Sequence, residues 1–483
     1  MGSLIETLAD ARVMVIGDVM LDRFVRGKVG RISPEAPVPV LRNAQEDMML
    51  GGAGNVVRNI TALGGHVVFG GVIGNDAAGQ RVTRLVAEDA QITPILQVDG
   101  GRLTSEKTRF VADGHHLLRS DWDSEEAVAD AAHRTLVAAV AAYLDQVSVV
   151  ILSDYGKGVL TPPVLRELIT LARDAGKAVI VDPKSPDYSI YRGATLVTPN
   201  RAELAMAVGH NPTTTDGIVA AAQALIREHG IGGLLVTRSE EGMTLVQADG
   251  TCLNVQAEAK EVFDVSGAGD TVVAVLAAAL AVGADINDAV HVANVAAGLV
   301  VAKVGTAVVN PPELLHALAE QDDRHNTSKV LGWGELQEKV ALWRRLGLSV
   351  GFTNGCFDLI HPGHVQLLAA SRAQCDRLIV GLNSDESVRR LKGPERPIQD
   401  ERSRAIVLAA LASVDAVAVF EEDTPLSLIT TVKPSVLIKG ADYTVDQVVG
   451  ADFVQQNGGR VALVDLVPNQ STTGIAQRIR VTR

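Results

Sequence analysis

Short apolar runs that end on Gly or Asp alternate with longer, Ala-rich stretches through the first two thirds of the chain. They fall at residues 13–18 (VMVIGD), 149–156 (VVILSDYG), 178–183 (AVIVDP), 194–200 (ATLVTPN) and 233–238 (GLLVTR). This alternation predicts βαβ units on a largely parallel sheet. Between Leu41 and Phe110 the pattern is mixed, with shorter polar-alternating pieces, and predicts a small lid sheet beside the main one. The pair Pro311–Pro312 opens a last short helix, after which the polar, non-periodic EQDDRHNTSK (320–329) reads as a linker. A helical stretch from Glu335 to Leu346 leads into a second α/β series at 348–355, 377–385, 416–421, 435–440 and 460–465. The expected organisation is one domain over 1–324, a linker and connecting helix over 325–347, and a second domain over 348–483. No solenoid repeat is visible.

A chain of 483 residues accommodates two or three such domains. Its 47% apolar content, 45 glycines and scarcity of aromatics fit strands buried on both faces. With a net charge of −13 there is no global positive field to favour nucleic acid or an anionic membrane. Phosphorylated ligands then need local cations and backbone N–H donors. Cys252, Cys356 and Cys375 are too few and scattered for a disulfide framework, which suits a reducing compartment. The first residues carry acid where a signal peptide needs a basic region, and Glu6 stands where a myristoylation signal needs Ser or Thr. The longest apolar run, Val272 to Ala284, is shorter than the ~18–20 residues that span a bilayer. A cytoplasmic enzyme of small molecules is expected, with no membrane or nucleic-acid partner.

The strongest motif is DVSGAGDT, Asp264 to Thr271, followed at once by a helical run. Gly267 and Gly269 permit tight turns, and their N–H groups can face an anion at a helix start. Asp270 has two readings: a carboxylate complementing the helix dipole, or a general base for an acceptor hydroxyl. A carboxylate inside an anion-cradling turn needs the second to justify its repulsion with phosphate. Earlier in the chain, Gly51, Gly52 and Gly54 precede Asn55 and a helix, so that a hydroxylated ligand can approach the backbone. The two motifs together resemble the ribokinase family, with its phosphofructokinase-B-like members, over roughly residues 10–320. The resemblance implies a three-layer α/β domain with a small β lid, Asp270 as catalytic base, and an anion hole at Gly267, Ala268 and Gly269. It carries Asn200, Arg201, Ala202 and Glu203, an Asn-x-x-Glu motif, to the ATP and Mg²⁺ region. It also implies that Asp18 contacts sugar hydroxyls beside Gly51, Gly52 and Asn55, although Asp18 also reads as a strand-terminating turn residue.

In TNGCFDLIHPGHVQLL (353–368), His361 and His364 stand one turn apart where a helix opens after a strand and loop. They read either as donors to an α-phosphate and departing pyrophosphate, or as two zinc ligands with Cys356 the one candidate third. The segment resembles the HxGH nucleotidyltransferase superfamily, in its cytidylyltransferase-like branch with a Rossmann-like fold. That resemblance implies triphosphate contacts at Lys392 and at Ser471, Thr472 and Thr473, with weaker carry-overs at Asn383, Asp385 and Arg402. Lys439 to Asp442 departs from the family pattern by having Ala441 where Gly is usual.

Taken together, RISPEAPVPVL (31–41), LSDYGKG (152–158) and LKGPERP (391–397) resemble the family of bifunctional heptose-7-phosphate kinase/heptose-1-phosphate adenylyltransferases of lipopolysaccharide-core biosynthesis. The resemblance implies ATP as substrate of both halves, Mg²⁺, heptose phosphates and a homodimer. Lys107, Arg109, Lys157 and Lys184 are candidates for holding a 7-phosphate. Two other readings are a different sugar kinase fused to a cytidylyltransferase, and a dead nucleotide-sensing scaffold. Keeping Asp270, His361, His364 and Lys392 together has no chemical reason in the latter.

Overall fold

The computed structural model describes residues 2–112, 115–124, 127–257, 262–303, 305–325 and 329–465. The chain divides into two compact units, Met1–Leu318 and Ala319–Arg483.

In the first unit nine strands form one sheet in the order Cys252–Val255, Met243–Gln247, Gly233–Thr237, Leu196–Val197, Ala178–Asp182, Val149–Ser153, Arg12–Gly17, His66–Gly70, Ile92–Pro94. All neighbours are parallel except the two pairings made by Met243–Gln247. Apolar cores cover both faces, which is why the strands read as unbroken Val/Ile/Leu runs. The helices Ala268–Ala281 and Ile286–Val301 fill one core with Ala and Val. Such small side chains let helices lie close, and each fully buried Val or Leu contributes roughly 1.5–3 kcal/mol.

The lid is a separate four-stranded sheet, ordered Pro39–Gly52, Val19–Ile32, Ser105–Ala112, His115–Trp122. It is wider in sequence than Leu41 to Phe110, since its second and fourth strands lie wholly outside that interval. Inside the interval, moreover, residues 53–62 and 77–87 are helical and His66–Gly70 belongs to the main sheet. Local alternation marked the region but could not say which pieces pair.

In the second unit five parallel strands are ordered Ala416–Phe420, Arg377–Asn383, Val350–Gly355, Val436–Gly440, Arg460–Val464. The segment expected as linker is more structured than its composition suggests. The helix Pro311–His325 runs through its first residues. Beyond it, Val330 bridges to Val417, and the helix Trp333–Arg345 places Leu336, Val340 and Trp343 in the second unit's core. Among the described residues, no helix is long and apolar enough to cross a membrane.

Candidate active sites

Gly267 caps the helix Ala268–Ala281 in a left-handed conformation, φ 82°, with no side-chain cap. A side chain there would press on the Asn55 amide, 2.8 Å from an added Cβ. Gly269, in contrast, faces open space, so its backbone is accessible to a ligand. Asp270 follows, nearly buried, and its carboxylate caps nothing. Asn55 Nδ2 donates to Oδ2 at 2.8 Å, and the Tyr155 hydroxyl donates to Oδ1 at 2.5 Å. The dipole-complement reading therefore leaves the side chain's engagement unexplained; a held, inward-facing carboxylate suits a base. Burial, foremost, raises it to about 6, with Asp22 adding and Tyr155, Asn55 and Lys107 opposing.

Around Asp270 lies a cavity of about 160 Å³ lined by Tyr155, Asp182, Asn200, Glu203, Gly267 and Gly269 among others. It shares Asn200, Thr237, Gly269 and Val272 with a larger cavity of about 960 Å³. The larger one has Arg201, Ala202 and Ala268 on its wall, together with apolar Met243, Val262, Val265 and Val301. A large apolar hollow opening through a glycine turn onto a buried carboxylate is the shape a nucleotide needs, base in the hollow and phosphates at the turn.

Asn200 and Glu203 border this opening, yet they also form a reciprocal helix cap. Asn200 Oδ1 accepts from Glu203 N, and a Glu203 carboxylate oxygen accepts from Asn200 N, both at 2.9 Å. The Asn-x-x-Glu spacing is thus accounted for by helix initiation before any ligand arrives. Asp182, unnoticed in the sequence, lines the cavity together with them and the base. Burial first, then the charges of Asp270 and Glu203, push it well above the carboxylate range.

Asp18, expected at sugar hydroxyls, is occupied otherwise. Its Oδ2 accepts from Tyr155 N at 2.9 Å and Lys157 N at 3.0 Å, and its Oδ1 from Val159 N at 3.1 Å. It ties down the loop after Val149–Ser153. Asp22 instead meets the glycine pair: a side chain at Gly51 would collide with its carboxylate, which pairs with Arg109 at 2.5 Å. Gly52, with φ 58°, sits against the Asp18 carbonyl. Of the four candidate cations, Arg109 is held by Asp22 and Lys157 by Asp123 at 2.5 Å, whereas Lys107 lies 5.8 Å over the Tyr155 ring.

In the second unit the strand Val350–Gly355 ends in a loop where Phe357 takes φ 42°. His361 then caps the helix Pro362–Arg372, and the His361 and His364 rings stack, with Phe357 edge-on to His364. His361 Nδ1, His364 Nδ1 and Asn354 Oδ1 are buried polar atoms without a hydrogen-bond partner in the protein. Such orphans call for a ligand. Among the described residues no cluster of three metal-ligating side chains forms, Cys356 included.

Cations converge on the same loop. Burial raises the Cys356 thiol, and the charges of Lys392, Arg404 and Arg396 oppose that rise. Lys439 donates from Nζ to the Asn354 carbonyl at 3.2 Å and is lowered by burial. Arg402 is exposed; its neighbour Arg404 is the one that reaches the loop, wholly buried, donating to the Cys356 carbonyl at 2.6 Å, the Gln399 carbonyl at 3.1 Å and Asp385 at 2.7 Å. Asp385 is thus paired with Arg404, and Asn383 Nδ2 donates to Ser387 at 3.0 Å. Asp358, also missed, accepts from Ile398 N at 2.7 Å, from Gln399 N at 3.1 Å and from Arg396. Ser471, Thr472 and Thr473 lie outside the described residues.

Residues 10–313 match the model of the pfkB family of carbohydrate kinases, and residues 352–472 that of cytidylyltransferase-like proteins. The chain is 56% identical over 475 residues to the bifunctional protein HldE of Paramagnetospirillum magneticum, covering 98% of this chain and 97% of that one. It is 54% identical over 479 residues to the HldE of Rhodospirillum rubrum, covering 99% and 97%. Phosphofructokinase-2 from Escherichia coli, solved with substrates and products, has a TM-score of 0.54 at 21% identity over 64% of this chain and 99% of that one. Arabidopsis thaliana ribokinase, solved with ribose and ATP, gives 0.52 at 19% identity over 64% and 99%. These two likenesses bear on the fold alone.

Proposed function

Since the chain belongs to the family of the bifunctional protein HldE, an enzyme joining a sugar kinase to an adenylyltransferase, we propose how its two sites divide the work. The first unit phosphorylates D-glycero-β-D-manno-heptose 7-phosphate at O1. The second transfers adenylyl from ATP to heptose 1-phosphate, a separate phosphatase having removed the 7-phosphate between the steps. The products are ADP-heptose and pyrophosphate, for lipopolysaccharide-core synthesis.

In the kinase step Asp270 takes the proton from the sugar O1 as the bond from O1 to the γ-phosphorus forms and the bond to the bridging oxygen of ADP breaks. Amides at Gly267, Ala268 and Gly269 face the transferring phosphoryl group, and Asn200, Arg201 and Ala202 border the nucleotide. Asp182 and Glu203 fit a Mg²⁺ ion arriving with ATP, because Asp182, raised by burial first and then by the charges of Asp270 and Glu203, gains from a cation. When bound, that ion offsets charge on the phosphate oxygens. Asp22, Gly51, Gly52 and Asn55 form the sugar side.

In the transferase step a sugar-phosphate oxygen attacks the α-phosphorus and the bond to pyrophosphate breaks. His361 and His364, with Lys392 and the hydroxyls of Ser471, Thr472 and Thr473, donate to the phosphate oxygens as charge shifts. The orphaned imidazole nitrogens are the observation that supports this clamp.

ATP dependence of both steps supports a cytoplasmic site of action. Exposed Ile32, Leu118 and Trp122 on the lid sheet support a homodimer, to be read by light scattering.

The deciding experiment incubates the full chain with Mg²⁺ and ATP or CTP, with heptose 7-phosphate, heptose 1-phosphate or other sugar phosphates, and identifies products by mass spectrometry. Heptose 1,7-bisphosphate and ADP-heptose are expected. Faster turnover of another sugar phosphate, or of CTP, would replace the substrate assignment.

A further inference from the structure

Asn55 engages one oxygen of Asp270 and Tyr155 the other. With both oxygens held, the carboxylate plane cannot rotate, and the lone pairs left over face the cavity. We propose that Tyr155 is a positioning residue for phosphoryl transfer, and that Asp18, by gripping the backbone at Tyr155 and just after it, sets where the phenol stands. This rests on the reading of Asp270 as the base and adds to it a relay from one end of the main sheet to the reacting oxygen.

The relay is continuous in the structure. The buried Asp18 carboxylate accepts from three N–H groups of the loop 155–159. Gly156 and Gly158, at φ 69° and 94°, let that loop curl round a single carboxylate. A second brace comes from Asp154 Oδ1, which accepts from Gly156 N at 2.8 Å. So fixed, the phenol reaches the base from the edge of the cavity, with the Lys107 ammonium 5.8 Å above its ring. Tyr155 cannot itself be the base. Burial and the Asp270 charge push it well above its ordinary value, so it remains a donor.

The phenol donates to the ionised form of Asp270, so its loss favours the protonated form. The other groups facing Asp270 are Asn55, Asp22 from the lid, Lys107 from the neighbouring lid strand, and Asp182 from the main sheet. The substitution Tyr155→Phe leaves each of these side chains chemically unaltered and removes only the phenol oxygen that meets Asp270. Tyr155→Phe in the full-length enzyme should therefore shift the acid limb of the kinase kcat/KM profile to higher pH. It should also lower kinase kcat by ~10- to 100-fold, the size expected for a hydrogen bond to a charged group. Adenylyl transfer in the same preparation should be unchanged, which controls for enzyme concentration, and an unmoved melting transition of the kinase unit controls for its folding. Asp18→Asn should lower kcat in the same direction, and combining it with Tyr155→Phe should add little further loss.

A Tyr155→Phe enzyme with kcat within twofold of wild type and an unmoved acid limb would overturn the proposal. Fully additive losses would remove Asp18 from it. Asp270→Asn, run alongside, keeps the two readings apart: if that variant stays active, the base assignment fails whatever Tyr155→Phe does.

Discussion

His361 and His364 lie ring over ring, 3.8 Å between centroids and 20° from parallel. Two imidazoles approach so closely only when they are not both charged. Burial, and then the charge of His361, lower His364 to about 4, and burial lowers His361 as well. At neutral pH each ring is thus a neutral donor waiting for an anion.

His364→Ala should therefore cost adenylyl transfer ~10²–10³ in rate, the usual loss for one oxyanion donor, with sugar phosphorylation near normal. A pyrophosphate-release assay beside a kinase assay reads both. Loss of the kinase instead would mean that the histidines serve a shared site.

Asp270→Asn should do the reverse, lowering kinase kcat by ~10²–10⁴ while nucleotide binding and adenylyl transfer persist. The amide can still accept from Tyr155 or Asn55 but cannot take the proton. Kinase turnover within about tenfold of wild type would remove the base role.

The wild-type kinase should have an acid limb near pH 6. Asp270 is raised to about 6, and a base works only when ionised, so kcat/KM should fall as pH drops through that value and level off above it. Adenylyl transfer should lack this Asp270 limb, and His364, lowered to about 4, is already neutral there. Rate profiles of both activities from one preparation decide it.

Glu203 serves a helix cap and borders the nucleotide opening, and two substitutions separate these uses. Gln at this position can still cap, so Glu203→Gln should raise the Mg²⁺ concentration needed by the kinase without lowering thermal stability. Glu203→Ala should do both, with a stability loss of ~1 kcal/mol. An unchanged Mg²⁺ titration for Glu203→Gln would confine the residue to capping.

Much of this was legible in the sequence because it is local. Strand runs, the Gly-Ala-Gly turn and the one-turn histidine spacing depend only on near neighbours. What stayed hidden depends on pairing across the fold. Asn55 meets Asp270 over a separation of 215 residues, and Tyr155 meets it over 115. Asp18 and Asp22 differ by four positions on one run of chain, yet only the assembled loop 155–159 reveals which of them is engaged by backbone. Likewise Arg402 and Arg404 are alike on paper, and burial alone separates them.

The segment 329–347 also changes how the halves should be cut. A fragment over 329–483 keeps the Val330–Val417 bridge, the Trp333 indole donating to the Val419 carbonyl at 2.9 Å, and buried Trp343. One over 345–483 loses all three; removal of a buried Trp alone costs ~3–5 kcal/mol. The longer fragment should be soluble and active in adenylyl transfer and the shorter one should not, as read by expression and assay.

Among the described residues each hydrophobic cluster draws on one unit only: two lie within residues 5–318 and two within 331–464. Cooperativity of melting follows shared core, so calorimetry of the whole chain should resolve two endotherms rather than one. Ligands would then act as labels for them. A sugar phosphate taken only by the kinase would raise one transition and leave the other in place, and Trp343→Ala would lower the other by itself.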